Sequence, residues 1–349
     1  MRILLIADPQ IPVPPTHYGG AERIVHLYCQ EFARLGHQVH LMAAQGSQAY
    51  GGRLHIHRAP SLRYVSRSRR KIQFQLQSLW AARNVDVVFN LGRFDYLEAL
   101  LRVHKPLLHN FPNPIDQGQI DFAEARVGGP FAFHLISENQ RRHAVIHRPV
   151  HVIPNPVDAE AFLPGDGAEG YLAFLGRLTR NKGVDTAIEV ARRSGRRLVI
   201  AGNVSNEQGG PEFFREQVQP HLDGDRIRWI GPVNDQQKQE LLSGAAALLF
   251  PIRWEEPFGN VMVEALACGA PVIATRRAST PEVIEHGRTG FLCDSSERTI
   301  DEFVDAVAQV PQLNREHCRE AVMQRFDVRV IAPRVLHVLH ELSQGGTGP

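Results

Sequence analysis

The segment that decides the fold spans residues 256–272 and reads EPFGNVMVEALACGAPV. Short apolar runs flank it, at residues 247–250 before it and at residues 272–274 where it ends. Each run has the length of a buried strand, and between them we expect a turn followed by a helix that begins near Asn260. A strand, a helix and a second strand in this order are the repeating unit of a parallel α/β sheet.

The same alternation extends outward along the chain in two series. Other apolar runs of the second series lie at residues 171–175, 198–201 and 227–230, and those of the first lie at residues 3–7, 39–43, 85–89, 106–109 and 131–136. A helix is predicted after the first run, because apolar side chains recur at helical spacing before Gly36 ends it, at Ile24, Leu27, Tyr28, Phe32 and Leu35. We expect two doubly wound α/β domains.

Length and proline placement suggest where the domains meet. The chain has 349 residues, which is about twice the usual length of a single domain. Pro154 and Pro156 forbid a helix or a central strand, so we place the linker there and in the loop at residues 164–170. The predicted domains are residues 1–153 and 154–325, and a helix at residues 326–344 is expected to pack back on the first domain.

Composition excludes several classes of protein. Lys and Arg number 39 against 37 Asp and Glu, a balance that gives no electrostatic reason to expect a nucleic acid partner. The four cysteines are widely spaced, which argues against a zinc site and a disulfide framework and favours a reducing cytoplasm.

Membrane insertion is not expected either. The first apolar run is too short for a signal peptide, and residues 245–252 contain Pro251 and are far shorter than the ~20 residues that span a bilayer. The densest basic run, residues 63–71, is interleaved with Ser and Tyr and is predicted to be a solvated loop rather than a membrane-surface helix. An anionic or lipid-linked acceptor stays open there, and peripheral membrane contact is possible but not indicated.

Two cations follow the first strand of the second series. Arg177 comes directly after Gly176, and Lys182 follows five residues later, just before a helix. The carboxyl edge of a parallel sheet is where ligands bind, and two cations beside a helix N-terminus suit a diphosphate. The alternative is a pair of ordinary surface cations.

Two carboxylates, Glu256 and Glu264, bracket the turn in the deciding segment. Ionised carboxylates accept hydrogen bonds from sugar and ribose hydroxyls, and residues 258–261 would offer backbone NH groups at the start of the helix. The alternative has Glu264 capping its own helix and Glu256 solvated. Near the N-terminus, Gly19-Gly20 could admit an anion to the first helix or could simply form a turn. This pair lacks the G-x-G-x-x-G pattern, which disfavours a nicotinamide dehydrogenase.

With these motifs in order, the chain resembles the family 4 retaining glycosyltransferases along nearly its whole length. The shared features are Tyr18-Gly-Gly-Ala-Glu22, Gly36-His37, the Pro-Asn-Pro linker, Gly176-Arg177 with Lys182-Gly183, the Glu256-to-Glu264 segment, Pro281-Glu282 and Gly287 to Phe291. The resemblance implies the GT-B fold, two facing Rossmann-like doubly wound domains with a deep interdomain cleft.

The resemblance also implies roles for individual residues. Arg177 and Lys182 would bind the donor diphosphate, Glu256 the sugar hydroxyls, and Glu264 the ribose. Backbone NH groups of Phe258, Gly259, Asn260 and Val261 would contact sugar and phosphate. Gly20 would face the diphosphate from the other domain, and His109 would lie near the transferred sugar, where it and Glu256 would be the catalytic residues.

The function implied is retaining transfer from a UDP- or GDP-sugar to a hydroxyl of a small-molecule, lipid or glycan acceptor. No cofactor and no metal are expected, because two cations can neutralise the diphosphate and Asp223-Gly-Asp225 fits a turn. A nucleotide-sugar epimerase, a sugar phosphorylase and a non-catalytic nucleotide-sugar-binding protein remain alternatives. A phosphorylase would need a pyridoxal-binding lysine segment, which nothing in the sequence calls for. Departures from the family pattern, at Asn155-Pro156, at residues 276–280 and after His109, affect donor and acceptor choice more than the fold.

Overall fold

The computed structural model describes residues 1–15, 19–57, 67–94, 97–206 and 209–345, apart from the side chains of residues 67, 68 and 70. The chain divides into two compact units. The first comprises Met1–Pro156 and Val328–Pro349, and the second comprises Val157–Asp327. The observed boundaries follow Pro156 and Asp327, whereas the sequence placed them after residues 153 and 325.

In the first unit the described strands form one parallel sheet in the order β3-β2-β1-β4-β5-β6-β7. The strands are β1 (Arg2–Ile6), β2 (Gln38–Ala43), β3 (Gly51–Ile56), β4 (Val87–Asn90), β5 (Leu107–Asn110), β6 (Phe131–Leu135) and β7 (Val150–Val152). Its helices are α1 (Gly20–Arg34), α2 (Arg67–Ala81), α3 (Glu98–Leu101), α4 (Gln117–Glu124), α5 (Glu138–Arg142) and, after the second unit, a helix at Val328–Ser343.

In the second unit the described strands form another parallel sheet, in the order β10-β9-β8-β11-β12-β13. The strands are β8 (Leu172–Leu175), β9 (Leu198–Ala201), β10 (Ile227–Trp229), β11 (Ala247–Phe250), β12 (Val272–Thr275) and β13 (Gly290–Cys293). The helices are α6 (Val184–Ser194), α7 (Gly210–Phe213), α8 (Asp235–Gly244), α9 (Asn260–Ala267), α10 (Thr280–Val283), α11 (Thr299–Gln309) and α12 (Arg315–Arg325), so that Val328–Ser343 is α13.

Helix α13 belongs to the core of the first unit. One face of it, including Ile331, Val335 and Leu339, is fully buried in a cluster with residues of α1 and of the central strands β1, β2 and β4. Burial of large aliphatic side chains contributes about 1.5–3 kcal/mol each, so this helix is a substantial part of the unit's stability.

Two sequence-based expectations were wrong in detail. Leu35, predicted on the buried face of the first helix, is 39% exposed, because α1 has ended at Arg34. The predicted loop at residues 63–71 is helical from Arg67 onward, and its residues 63–66 lie outside the described part. The helix predicted at residues 326–344 is α13, and Phe326 and Asp327 separate it from α12 in the C-terminal helical stretch.

All four cysteines are buried and unpaired, and burial raises their thiol pKa values. In the described part of the chain, no helix combines the length and the hydropathy that crossing a membrane requires.

Candidate functional site

In the second sheet the order in which successive strands are added reverses between β8 and β11. From β8 the chain proceeds outward to β9 and β10, and from β11 it proceeds the other way to β12 and β13. In open parallel sheets such a switch point leaves a crevice at the carboxyl ends of the two strands, where ligands bind. The segments that follow β8 and β11 carry Lys182 and Glu256, so the sequence-predicted residues lie at this position.

Gly183 brings the two segments into contact. It adopts a left-handed conformation with φ 74°, and a Cβ at this position would overlap the carbonyl oxygen of Pro251. Beside it, the backbone NH of Arg253 donates to the carbonyl of Asn181 at 2.8 Å. Glycine is required here both for its backbone conformation and for the close approach.

Lys182 and Glu256 form an ion pair across this contact. Lys182 Nζ donates to Glu256 Oε2, and the side chains are only 16% and 10% exposed. Trp254 Nε1 donates to the same oxygen at 2.9 Å, and its ring lies 4.7 Å from Lys182 Nζ. The structure therefore pairs two residues that the sequence assigned to separate parts of a ligand. It also adds Trp254, which sequence reasoning missed.

Ser279 fixes the backbone of the same turn. Its buried hydroxyl lies 3.0 Å from the carbonyl oxygen of Glu256 and 2.9 Å from that of Phe258. The sequence marked residues 276–280 only as a departure from the family pattern, so this contact was not foreseen. It holds the loop in the shape that presents Glu256.

Helix α9 begins at Asn260, as predicted, and Gly259 precedes it without a side-chain cap. Gly259 has φ 83°, a left-handed conformation that strains any residue with a side chain, and a Cβ on it would also lie 2.7 Å from Met262 Cε and 3.2 Å from Phe250 Cζ. Phe258 is buried and packs edge-on against Phe326, which leaves its backbone as the part that can meet a ligand. The first turn of α9, including Val261, is suited to an anion or a sugar oxygen.

Glu264, one turn into α9, is also paired. Lys238 Nζ of α8 donates to Glu264 Oε1 at 2.6 Å and lies 3.6 Å from Asp235 Oδ1. The side chains of Lys238 and Glu264 are 11% and 15% exposed. Nothing in the sequence pattern marks Lys238, because its partner lies in another helix 26 residues away.

Arg177 follows β8 and is partly buried. The strand end beside it is tightly packed, since a Cβ on Gly202 would overlap the carbonyl oxygen of Gly176. Asp223, of the only Asp-x-Asp sequence, accepts hydrogen bonds from the backbone NH groups of residues 225–227 at 2.8–3.0 Å, which confirms that this segment is a turn.

In the first unit, Gly20 is the exposed first residue of α1. Gly19 is buried, and a Cβ on it would lie 2.7 Å from Pro15 Cβ, so close packing alone requires a glycine there. Tyr18 lies outside the described residues. Glu22 is buried, and burial raises the pKa of its carboxyl above the usual range.

His109 is the third residue of β5 and is 1% exposed. Asn90 Nδ2 donates to His109 Nδ1 at 2.8 Å and to the carbonyl of Gly92 at 3.0 Å. The imidazole lies between Phe94 and Phe111, with ring centroids 5.3 and 4.7 Å away. Burial, reinforced by the neighbouring His134, lowers the pKa of His109 to about 3. Its ring is therefore neutral, with Nδ1 accepting and the proton on Nε2, which has no hydrogen-bond partner among the described residues.

Comparison with known proteins identifies the family. A model described as Glycosyltransferase Family 4 matches residues 18–161, and one described as Glycosyl transferases group 1 matches residues 161–324. The chain belongs to the family 4 glycosyltransferases. It is an enzyme of this class, and the fold implied by the resemblance is confirmed for the two parallel-sheet α/β units.

Three proteins illustrate how far the likeness of this glycosyltransferase extends. The alpha-maltose-1-phosphate synthase of Mycolicibacterium smegmatis is 24% identical over 95% of this chain and 97% of that protein. AviGT4, a glycosyltransferase of avilamycin A biosynthesis, matches with a TM-score of 0.72 and 24% identity over 99% of each chain. Anabaena HepE, solved with UDP and glucose, has a TM-score of 0.75 and 16% identity over 97% of this chain and 99% of that one.

Within this glycosyltransferase the predicted residues fall into separate groups. Lys182 and Glu256 touch each other, Glu264 is held by Lys238, and Gly20 and His109 belong to the first unit. The described residues contain no cluster of three or more His, Cys, Asp or Glu side chains that could hold a metal ion.

Proposed function

We propose that this glycosyltransferase moves a sugar from a UDP- or GDP-sugar to a hydroxyl group of a small-molecule, lipid or glycan acceptor, with retention of anomeric configuration and without a metal. The second unit binds the donor. The observation that carries the proposal is the ion pair between Lys182 and Glu256 at the switch point of the second sheet.

The cations serve the leaving group. As the bond between the sugar and the diphosphate breaks, negative charge grows on the phosphate oxygens and positive charge on the sugar ring. Lys182 and Arg177 neutralise the phosphate, and the N-terminal turn of α9 adds backbone NH donors. These positive groups belong to the protein, which is why no metal is needed in this proposal.

Glu256 serves the sugar. When Lys182 turns to the diphosphate, the carboxylate of Glu256 is free to accept hydrogen bonds from sugar hydroxyls. Trp254 continues to hold Oε2, so the carboxylate keeps its orientation during the exchange. Before the donor binds, the ion pair therefore keeps the ammonium of Lys182 and the carboxylate of Glu256 paired with each other, and both groups bind the donor afterwards.

Glu264 binds the ribose, because its carboxylate can accept hydrogen bonds from the ribose hydroxyls. Its pairing with Lys238 reduces the negative charge that a diphosphate nearby would meet, and it fixes the side chain in one orientation. Lys238 is then a positioning residue for the nucleoside.

His109 is proposed to donate Nε2–H to an oxygen of the transferred sugar, which requires its buried Nε2 to become exposed when the donor binds. Its neutral form and its tautomer are set by burial and by the amide of Asn90. A neutral donor adds no positive charge beside the oxocarbenium-like sugar, which suits the transition state.

Nucleotide binding to a lysine variant and to a control variant of a neighbouring arginine tests the donor site. We expect Lys182→Ala to weaken binding of UDP or GDP by roughly 10- to 150-fold, the effect of losing one charge-assisted contact of about 1.5–3 kcal/mol. Arg180→Ala is the control, because Arg180 is exposed and lies on the same turn. Equal affinities of wild type and Lys182→Ala, measured by calorimetry, would contradict the proposal.

A second experiment tests the reaction. Incubation with nucleotide sugars and candidate acceptors in excess chelator should release nucleoside diphosphate and give a product with the donor's anomeric configuration, read by NMR coupling constants. Loss of turnover that added magnesium or manganese restores would exclude the metal-free mechanism. An inverted product would exclude retention, and donor binding without turnover on any acceptor would favour a binding protein.

A further inference from the structure

Helix α2 of the first unit exposes an apolar face. Ile72, Leu76 and Trp80 follow one another at intervals of four residues and are 58%, 61% and 58% exposed. Among the described residues, the other large apolar side chains exposed to this degree are isolated, at Val145 and Leu163. Single exposed apolar side chains are ordinary, but three on one helix face indicate a binding surface.

This face is not the one that anchors α2 to the unit. Phe74, Ser78 and Ala81 are almost fully buried, and at 3.6 residues per turn they lie on the opposite side of the helix. Phe74 also packs edge-on against His57 of the segment after β3, with ring centroids 4.7 Å apart. The helix is thus fixed through one face while the other, bordered by Arg69, Gln73 and Gln77, lines a shallow depression.

The surrounding sequence is strongly basic. Between Glu31 and Asp86 there are nine Lys and Arg residues and no Asp or Glu. Four of them, Arg67, Arg69, Arg70 and Lys71, fall in the first five positions of α2. Glu98 Oε2 lies 3.9 Å from Lys71 Nζ, and the same carboxylate also pairs with Arg102.

Helix stability does not explain this charge. The N-terminal end of a helix carries a positive partial charge and favours acidic side chains, yet α2 has none in its first turn. Cations placed there oppose the helix dipole. Arg69 lies beside the exposed apolar face, and this combination is instead suited to an anionic surface that an apolar stripe can enter.

We propose that α2 binds this glycosyltransferase to the surface of an anionic phospholipid bilayer. Ile72, Leu76 and Trp80 enter the boundary between headgroups and acyl chains, Trp80 lies at the depth where indole rings concentrate, and Arg69 meets the phosphates. The helix lies in the plane of the membrane, since its 15 residues are too few to cross the hydrocarbon core.

The size of the face favours a bilayer over a protein partner. Ile72 and Trp80 are eight residues apart, which is about 12 Å along the helix. A stable protein interface buries about 800 Å² on each side, far more than three side chains in a single row offer. A bilayer needs no matching shape, and each side chain that inserts into it contributes to the binding free energy separately. The inference concerns the first unit alone and does not depend on the proposed sugar transfer.

Co-sedimentation with vesicles tests the proposal. The full chain should bind vesicles of phosphatidylglycerol and phosphatidylcholine and should bind vesicles of phosphatidylcholine alone at least roughly tenfold more weakly, with the difference shrinking as salt is added. The variant Ile72→Ser/Leu76→Gln/Trp80→Gln should lose at least roughly tenfold in partitioning to the anionic vesicles, and Arg69→Glu roughly fivefold.

Leu163→Ser is the matched control, because Leu163 is 62% exposed but lies in the second unit. It should bind vesicles like the wild type. Thermal unfolding of each variant verifies the fold, since the substituted side chains are exposed and their loss should leave the melting temperature nearly unchanged.

Three outcomes would overturn the proposal. One is failure of the wild type to bind anionic vesicles, and another is equal loss of binding in Leu163→Ser and the triple variant. The third is a wild-type dimer in size-exclusion chromatography that the triple variant abolishes while vesicle binding is absent, which would assign the face to a second copy of the chain.

Discussion

Glu256 is a buried carboxylate held by two donors of different kinds. Lys182 supplies charge, whereas Trp254 supplies a neutral NH that comes from the same loop. A buried charge needs a partner at every stage. If Lys182 moves to a diphosphate, the indole NH of Trp254 still donates to the carboxylate of Glu256. The orientation of Glu256 during transfer then depends on Trp254.

Trp254→Phe separates this positioning effect from donor binding. The phenyl ring preserves most of the packing against Lys182 and removes only the NH donor to Glu256. We expect turnover to fall about tenfold, the value of one hydrogen bond to a charged group at about 1.5 kcal/mol, while affinity for the nucleoside diphosphate changes less than about twofold.

Trp229→Phe is the control for this experiment, because its Nε1 donates to the carbonyl of Gly202 at 3.0 Å in another part of the second unit. Steady-state kinetics and calorimetry on both variants provide the comparison. An equal fall in turnover for the two, or none for Trp254→Phe, would assign Trp254 to packing alone.

Two buried histidines make the first unit sensitive to acid. Burial lowers the pKa of His109 to about 3 and that of His134 to about 4, from an ordinary value of about 6.5. His134 Nε2 donates to the carbonyl of Ile153 at 2.8 Å, and its Nδ1 accepts from Asn110 Nδ2 at 3.2 Å. Both rings are therefore stabilised in the neutral form.

Since the unfolded chain binds these protons more readily, the contribution of the two histidines to stability is complete above about pH 6.5. It is lost as the pH falls towards 4 and then 3. Between pH 7 and pH 5 we expect each histidine to remove about 2 kcal/mol from the free energy of unfolding.

Denaturant titrations at pH 7 and pH 5 should show a smaller pH dependence for His109→Gln and for His134→Gln than for the wild type. His337→Gln, whose side chain is 73% exposed in the native residue, should behave like the wild type. An unchanged pH dependence in both buried-histidine variants would disprove the assignment.

Among the elements, α6 is bordered by two left-handed glycines with different surroundings. Gly183 before the helix has φ 74° and faces Pro251, whereas Gly195 after it has φ 66° and open space around its missing Cβ. Both positions require a left-handed backbone conformation, but only Gly183 also has another backbone segment packed against the position of its missing Cβ. They form a matched pair within one element.

Gly195→Ala should cost about 1 kcal/mol, the penalty of a left-handed alanine. Gly183→Ala should cost at least about 3 kcal/mol, because the backbone of Pro251 must also move. It should in addition weaken nucleoside diphosphate binding, since Lys182 and the loop of Glu256 shift together. Melting temperatures and calorimetry measure both effects, and equal losses in the two variants would contradict the close-approach argument.

The sequence predicted the elements whose signal is local. Strands β1, β9 and β11 consist almost entirely of continuous apolar runs, and α9 begins at Asn260 because a glycine precedes an apolar helical segment. Strands β3, β7 and β13 were missed. Strand β3 is an edge strand of alternating polar residues, and β13 begins at Gly290, whose need for glycine comes from the carbonyl of Val272 in the neighbouring strand.

Within the candidate site too, the sequence predicted the residues of one local motif but not the residues that contact it from distant parts of the chain. Lys182, Glu256 and Glu264 stand in a recognisable local motif, so they could be named in advance. Lys238 and Ser279 reach the motif from α8 and from the segment before α10, at distances along the chain that no spacing rule connects. Asn90 was hidden for the same reason, because it meets His109 only through the pairing of β4 with β5.

At the scale of the whole molecule, the two units differ in how the chain builds them. The second is one continuous segment, and its two ends meet where Val157 bridges Asp327 and the NH of Ala159 donates to Asp327 Oδ2 at 3.2 Å. The first unit is completed by α13, which returns after the whole second unit. This bridge also explains why the helical stretch breaks at Asp327, a tertiary contact that the local pattern does not contain.

Deleting residues 328–349 should therefore damage the first unit selectively. The buried face of α13 would leave an open groove over α1 and the central strands, and the first unit should lose its cooperative unfolding transition. The second unit, expressed as residues 157–327, should fold and keep its affinity for nucleoside diphosphate. Hydrogen exchange and calorimetry would show this, and full protection of β1 and β4 in the truncated chain would contradict it.

The late position of α13 also bears on synthesis in the cell. Strands β1 to β7 leave the ribosome before the helix that covers them has been translated, whereas the second unit has its whole sequence available earlier. The part made first is thus the part finished last. During that interval an incomplete apolar sheet surface is exposed to other nascent chains, so chaperones that bind such surfaces should meet this protein chiefly through its first unit.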